Sequence, residues 1–266
     1  MSVTLYVALA LCLTVVAFVV SILGIGGGVF YTPIQIFFGI GIHEAAATSL
    51  FLIIILSISA TSVYRRAGKV DWRMAIMLEL FSVAGGLSGG YLSDFIPQNL
   101  LMALLTVTII VAGISMLRQR LKLIPHALQH KHWYLWHREA CGERYSINLI
   151  FALPLSFIAG AIGAMVGIGG GVIKVPMMVL LFGVPMDIAI ATSGFMVGIT
   201  AGSGFVGHLF AGHWNWTMSL ILAPGVFFGA QIGSRTMLHM DRELLKKAFG
   251  IIMFLIAAGL IIKACY

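Results

Sequence analysis

Gly24-Ile25-Gly26-Gly27-Gly28-Val29-Phe30-Tyr31-Thr32-Pro33 and Gly167-Ile168-Gly169-Gly170-Gly171-Val172-Ile173-Lys174-Val175-Pro176 are two copies of one decapeptide, each set inside an apolar stretch. Glycines in a row cost helix stability, and in each copy a proline follows five residues after the last glycine. Each copy therefore reads as a break in a helix. Paired breaks in corresponding places of two halves are the sequence mark of a membrane protein with a site between its repeats.

Composition places the chain in a bilayer. Of its 266 residues 60% are apolar and 9% charged, and the mean hydropathy is +1.05, which leaves too little polar surface for a water-soluble fold. Uncharged stretches long enough to span a bilayer cover residues 3–23, 45–64, 96–117, 147–168, 188–210 and 217–234; 74–93 is interrupted only by Glu79, and 248–262 is short unless Lys246 and Lys247 snorkel. Residues 29–42 and 172–186 reach roughly 20 Å as helices, less than the hydrocarbon core, and read as half-helices. The expected fold is all-α and integral to the membrane, with about eight full helices and two half-helices. Residues 3–23 lack a basic leader and a cleavage site, so they read as a helix of the fold, not a signal peptide.

The repeat extends well beyond the decapeptide. At an offset of 143 residues Gly24 matches Gly167; after one inserted residue the offset is 144, and Phe38-Gly39 matches Phe182-Gly183, Ala47-Thr48-Ser49 matches Ala191-Thr192-Ser193, Trp72 matches Trp216, and Gly85 and Gly89 match Gly229 and Gly233. Loop charge then sets orientation. Arg65, Arg66, Lys69 and Arg73 follow 45–64, whereas the matching loop at His208–Trp216 has no Lys or Arg; conversely Asp94–Asn99 has none where the second half carries Arg235, Arg242, Lys246 and Lys247. Basic residues favour the cytoplasm, so the halves read as inverted repeats: 1–118, a basic cytoplasmic linker 119–146, and 147–266. Both chain ends are then expected outside, in a multi-pass protein of the cytoplasmic membrane.

Helix N-termini that follow glycines offer unpaired N–H groups and a positive dipole end to an anion. Candidate substrate contacts are Gly26, Gly27, Gly28, Tyr31 and Gln35 in the first half, with Thr48 and Ser49 on the next helix, and Gly169, Gly170, Gly171 and Lys174 in the second, with Thr192 and Ser193. Small residues also serve helix packing, and both readings stand at this point. Lys174 occupies the place of Tyr31, and a lysine at membrane depth requires snorkelling or a counter-ion. Glu79, matched by Ala223, is a proton-coupling candidate or a hydrogen-bonded helix residue.

These residues carry a resemblance. GIGGGVFYTP and GIGGGVIKVP, each followed by a Phe-Gly turn and an Ala-Thr-Ser segment, are similar to the TauE/SafE sulfite exporter family, also known as the 4-toluene sulfonate uptake permeases, over essentially the whole chain apart from the linker. Thr32 stands where that pattern often has Val, and Val175 keeps it. The resemblance implies transport of a small sulfur-containing or carboxylate anion: sulfite, sulfonates or thiosulfate. Secondary transport, coupled to a proton or cation, is the leading expectation; an anion channel working by facilitated diffusion and a non-transporting assembly partner are the alternatives.

Several classes fall away. No GKS or GKT follows the glycines and no HExxH or Ser/His/Asp set lies at depth, so neither a nucleotide motor nor an intramembrane enzyme is expected, and no cofactor. His126, His130, His132 and His137 in the linker lack the paired cysteines of a metal site, and a basic amphipathic loop on the inner leaflet is the simpler reading. Cys12, Cys141 and Cys265 imply no disulfide framework. The net charge of +7 belongs to cytoplasmic loops, not to nucleic-acid binding. His43, Glu44 and Asp187 fall at the half-helix returns and read as interfacial, and a homo-oligomer is compatible with all of this.

Overall fold

A computed structural model describes residues 3–97, scattered positions between 100 and 114, and 134–265. In chain order the elements are α1 (Val3–Leu23), α2 (Gly28–Phe37), α3 (Ile42–Arg66), α4 (Trp72–Leu92), a hairpin of β1 (Leu135–Ala140) and β2 (Glu143–Asn148), α5 (Leu149–Met165), α6 (Gly171–Pro176), α7 (Met186–Phe210), α8 (Trp216–Met237) and α9 (Arg242–Cys265). Among the described residues five helices, α1, α3, α4, α7 and α8, are long and apolar enough to cross a membrane.

That is fewer than the eight full spans expected, for identifiable reasons. The segment 96–117 lies mostly outside the described residues. Helix α5 has 17 residues, about 25 Å, because β2 runs up to its N-cap Asn148, whose side chain accepts from the Ile150 N–H at 3.1 Å. Helix α9 has 24 residues, more than expected, because it takes in the charged turn from Arg242 to Lys247 that an apolar reading leaves out. The half-helices are shorter than expected. Helix α2 stops at Phe37, before Gly39 with φ +85°. After Pro176, which has no N–H for the ladder, α6 widens into a π turn over Met177–Leu181.

The long helices pack in a reciprocal pattern. α1 lies along α8 and α4 along α5, while α3 and α7 cross at the centre. Glycines set the approach: a Cβ on Gly85 or Gly89 would fall 2.1 Å from Phe157 O or 2.3 Å from Ala161 O, and one on Gly229 or Gly233 would fall 2.4 Å from Thr14 O or 2.2 Å from Phe18 O. These four contacts are two sets of repeat-matched positions, so the first helix of each half packs on the later helix of the other. The N-caps match as well. Asp71 accepts from Met74 N–H at 3.2 Å to start α4, and Asn215 from Met218 N–H at 3.1 Å to start α8.

The hairpin departs from the expected amphipathic loop. Cys141 and Gly142, with φ of 55° and 78°, form the two-residue turn whose twist suits paired strands. Tyr145 and Ile147 bury themselves with Met74, Ala75 and Leu78 of α4, Met177 and Met178 after α6, and Ile188 and Ala189 of α7. His137, one of the four linker histidines, bonds Ser146 Oγ through Nδ1 at 2.8 Å; His126, His130 and His132 lie outside the described residues.

Candidate anion site at the paired helix breaks

The two breaks meet backbone to backbone. Gly24 and Gly26 (φ +63° and +74°) turn the chain from α1 into α2, and Gly167, Gly169 and Gly170 (φ +76°, +76° and +78°) turn it from α5 into α6. This left-handed backbone is open to glycine at little cost. A Cβ on Gly28 would lie 1.9 Å from Gly167 O, and one on Gly171 would lie 2.4 Å from Ile25 O. These two glycines thus serve the approach of one break to the other. Gly26 and Gly169 face a different neighbour: Cβ atoms there would lie 2.6 and 2.8 Å from Val197 Cγ1 of α7 and 3.8 and 3.4 Å from Ile53 Cγ2 of α3. Ile53 and Val197 are repeat-mates, and together they wall the crossing.

Side chains fold back over each break. The Tyr31 ring lies over Gly27, whose added Cβ would sit 1.9 Å from Tyr31 Cε2, and the Lys174 stem lies over Gly170, with Cε 3.7 Å from the equivalent point. Lys174 is fully buried. Its Nζ lies 2.8 Å from Glu79 Oε2 and 2.5 Å from Thr200 Oγ1, and the Thr200 hydroxyl donates to Glu79 Oε1. The ammonium, hydroxyl and carboxylate close a triangle from α6, α7 and α4. Glu79 is 3% exposed, so water does little of the work of compensating either charge. The pair must, because removing one member of a buried ion pair leaves the other charge uncompensated.

The first break carries a polar set with incomplete bonding. Thr32 Oγ1 donates to Ser49 Oγ at 3.0 Å and Gln35 Nε2 to the same oxygen at 2.9 Å. Tyr31 OH, Gln35 Oε1 and Thr48 Oγ1 are buried with no hydrogen-bond partner. Either orientation of the Gln35 amide leaves one of its polar atoms unmatched. Of the remaining candidates, Ser193 donates to Gly24 O at 2.8 Å, tying α7 to the first break, and Thr192 is turned away, its Oγ1 accepting from Asp71 N–H at 3.1 Å. Lys174 and Glu79, read separately in sequence, belong to one cluster.

A cleft of about 530 Å³ opens between α3 and α7, lined by Ile54, Ser57, Thr61, Arg65, Trp72 and Gly198 among others. Its lining runs along α3 from Ile54, the neighbour of Ile53 in sequence, to Arg65, and on α7 includes Gly198, the neighbour of Val197. Thr61 Oγ1 in its wall is buried and without a partner.

Sequence reading missed Thr200, although the signal was present: the same offset of 144 pairs it with Leu56, so each member of the triangle has a different residue as its repeat-mate, Tyr31 for Lys174, Leu56 for Thr200 and Ala223 for Glu79. It also missed the contacts at the hairpin end. Asp71 accepts from Arg138 Nη2 and Nε at 2.5 and 3.1 Å and from Tyr145 OH at 2.5 Å. Burial works against its carboxylate, but the bonds from Arg138, Tyr145 and Met74 N–H outweigh it and hold Asp71 below the usual range. Asp187, expected at an interface, joins Lys69 Nζ and Arg242 Nε at 2.8 Å each, and Arg242 Nη1 reaches Glu143 of the hairpin at 2.8 Å. At the opposite end His43, the repeat-mate of Asp187, stacks on His213, the repeat-mate of Lys69, with ring centroids 4.8 Å apart. Glu44 there accepts from Asn215 Nδ2 at 2.8 Å.

Comparison with known proteins agrees with a membrane chain of this type. It is 29% identical over 256 residues to a probable membrane transporter protein, YunE, of Bacillus subtilis, covering 92% of this chain and 93% of that one. It is 27% identical over 250 residues to a probable membrane transporter protein of Xylella fastidiosa, covering 91% and 89%, and 26% identical over 241 residues to one of Methanocaldococcus jannaschii, covering 83% and 84%. No solved structure matches. Residues 9–260 match the family described as sulfite exporter TauE/SafE. Doubled glycine breaks, long apolar helices and a match along nearly the full chain lead to one conclusion: this multi-pass cell-membrane protein belongs to the TauE/SafE sulfite exporter family of membrane transporters.

Proposed function

We propose that the protein is a secondary transporter of small anions (sulfite, organosulfonates or related sulfur and carboxylate anions) across the cytoplasmic membrane, binding them where the two breaks cross. Lys174 carries this reading. Among the described residues it is the buried Lys or Arg, it stands on the half-helix that follows the second glycine run, and a cation at that depth has a use in attracting an anion. The unpartnered Tyr31 hydroxyl, Gln35 amide and Thr48 hydroxyl add polar groups to the opposite break, and the N–H groups of the first turn of α2 add donors. The cleft that begins at Arg65 supports an approach from the basic end of the molecule.

The reciprocal packing of α1 on α8 and α4 on α5 supports inverted repeats of 1–118 and 147–266 about the basic linker 119–146, with both chain ends outside. In this arrangement the cluster on Lys174 joins Lys174 and Thr200 of the second repeat to Glu79 of the first and has no counterpart among their repeat-mates, so the site is asymmetric. Glu79 is its proton-coupling residue. The binding test is a panel of sulfite, thiosulfate, sulfoacetate and simple carboxylates, titrated against thermal stability of the purified protein. At least one sulfur oxyanion should raise the melting temperature saturably, and Lys174→Gln should weaken that response at least about tenfold, the worth of one charge-assisted contact. A panel with no saturable response overturns the reading.

A further inference from the structure

Lys174 already has a counter-ion. Glu79 Oε2 sits 2.8 Å from its Nζ, and Thr200 bridges the two. An anion that pairs with the Lys174 ammonium in this buried place must compete with Glu79 for it. We propose that Glu79 is a resident counter-ion which the transported anion displaces, and that the displaced carboxylate takes up a proton, so that anion and proton load the site together.

This rests on the anion-transport reading and follows from charge. Before loading, the site holds one ammonium and one carboxylate and is neutral. Adding a singly charged anion without a proton would leave two negative charges beside one positive in a buried, low-dielectric place, which is strongly opposed. Adding a proton to Glu79 restores neutrality: the ion pair is broken, the Lys174 ammonium pairs with the anion, and the Glu79 carboxyl carries the new O–H bond. No other atom changes hands. Thr200 suits the exchange, since a hydroxyl both donates and accepts. In the resting pair it donates to Glu79; once Glu79 is protonated, the carboxylic acid donates to Thr200 Oγ1 and the threonine O–H turns to the anion.

The surroundings leave Glu79 with few other partners. Helix α5, packed along α4, has no titratable residue between Leu149 and Met165. The titratable residues of α7, Asp187 and His208, stand at its two ends, away from Thr200. At the start of α4 the hairpin's Arg138 and Tyr145 are held by Asp71. The repeat-mates of the three, Tyr31 and Leu56 in the first half and Ala223 in the second, offer neither a cation nor a carboxylate, so the exchange belongs to one break.

The test counts protons. Purified protein is titrated at neutral pH with ethanesulfonate, 2-hydroxyethanesulfonate and methanesulfonate, singly charged anions that are fully ionised there, by calorimetry in two buffers of different ionisation heat. Binding should take up about one proton per anion and tighten about tenfold per unit fall in pH. In Glu79→Gln the proton uptake should vanish and the affinity should no longer follow pH. Binding by the unaltered protein without proton uptake overturns the displacement and leaves the anion reading standing, as does uptake that persists in Glu79→Gln. If none of the three anions binds, the inference fails, and the anion reading stands or falls with the wider panel of sulfite, thiosulfate and carboxylates.

Discussion

Lys174 and Glu79 are costly residues to place in a membrane, and neither is tolerable alone. Truncating one side of a buried pair typically costs about 3–5 kcal/mol, whereas replacing both by apolar groups of similar volume is often close to neutral. Lys174→Met and Glu79→Leu should therefore each lower the melting temperature of the purified protein, and the double variant should recover most of the loss while remaining unable to transport. A double variant as unstable as the sum of the singles would mean that the pair is not coupled. Both residues stood out in the sequence because an ionisable group inside an apolar span always does. Their partnership was hidden, since Glu79, Lys174 and Thr200 lie on three helices and nothing in their spacing aligns them. Thr200 left a fainter trace as the mate of Leu56, legible only once a polar partner for Lys174 is sought. The roles of Gly28 and Gly171 divided similarly: the need for glycine was evident, but their place against Gly167 O and Ile25 O comes from the crossing of distant segments.

At the scale of elements, the hairpin is the part that sequence reading did not reveal. Its strands carry His137, Arg138, Glu139, Glu143 and Arg144, so a search for apolar periodicity passes over them, and its stability comes from burying Tyr145 and Ile147 against helices remote in sequence. The long helices were legible because a run of apolar residues is a local property; where they stop was less so, because caps, Pro176 and the hairpin decide it. Asp71 is the fastening. It starts α4 as N-cap and holds Arg138 and Tyr145 at once. Because its folded-state carboxyl is held below the usual aspartate value of 3.8, its contribution is complete above that value and is lost as pH falls through the folded-state value. Hydrogen-exchange protection at β1 and β2, corrected for the intrinsic pH dependence of amide exchange, should thus hold down to about pH 4 and fall below it. Asp71→Asn should lose this acid limb and show faster exchange at neutral pH as well. Exchange that is indifferent to both would detach the hairpin from Asp71.

For the whole molecule, the account is one of two repeats facing opposite ways around a shared crossing. The matched glycine contacts of α4 on α5 and α8 on α1 fit a two-fold relation between the repeats, and the ends differ in chemistry: Lys69, Asp187, Arg242 and Glu143 form a chain of ion pairs at one, while the matching place at the other holds stacked His43 and His213. The chain ends should then lie outside the cell membrane, so that a reporter active only outside the cytoplasm works when fused after Tyr266; activity of a cytoplasmic reporter there instead would break the inversion. The central claim remains that Lys174 loads a small anion for passage through the crossing. Its most direct test is counterflow of labelled sulfite or sulfoacetate in proteoliposomes bearing either the unaltered protein or Lys174→Met. The account predicts saturable uptake by the unaltered protein and a loss of at least about a hundredfold in the variant, the difference that about 2.7 kcal/mol of binding would make. Saturable uptake that survives Lys174→Met undiminished would contradict it.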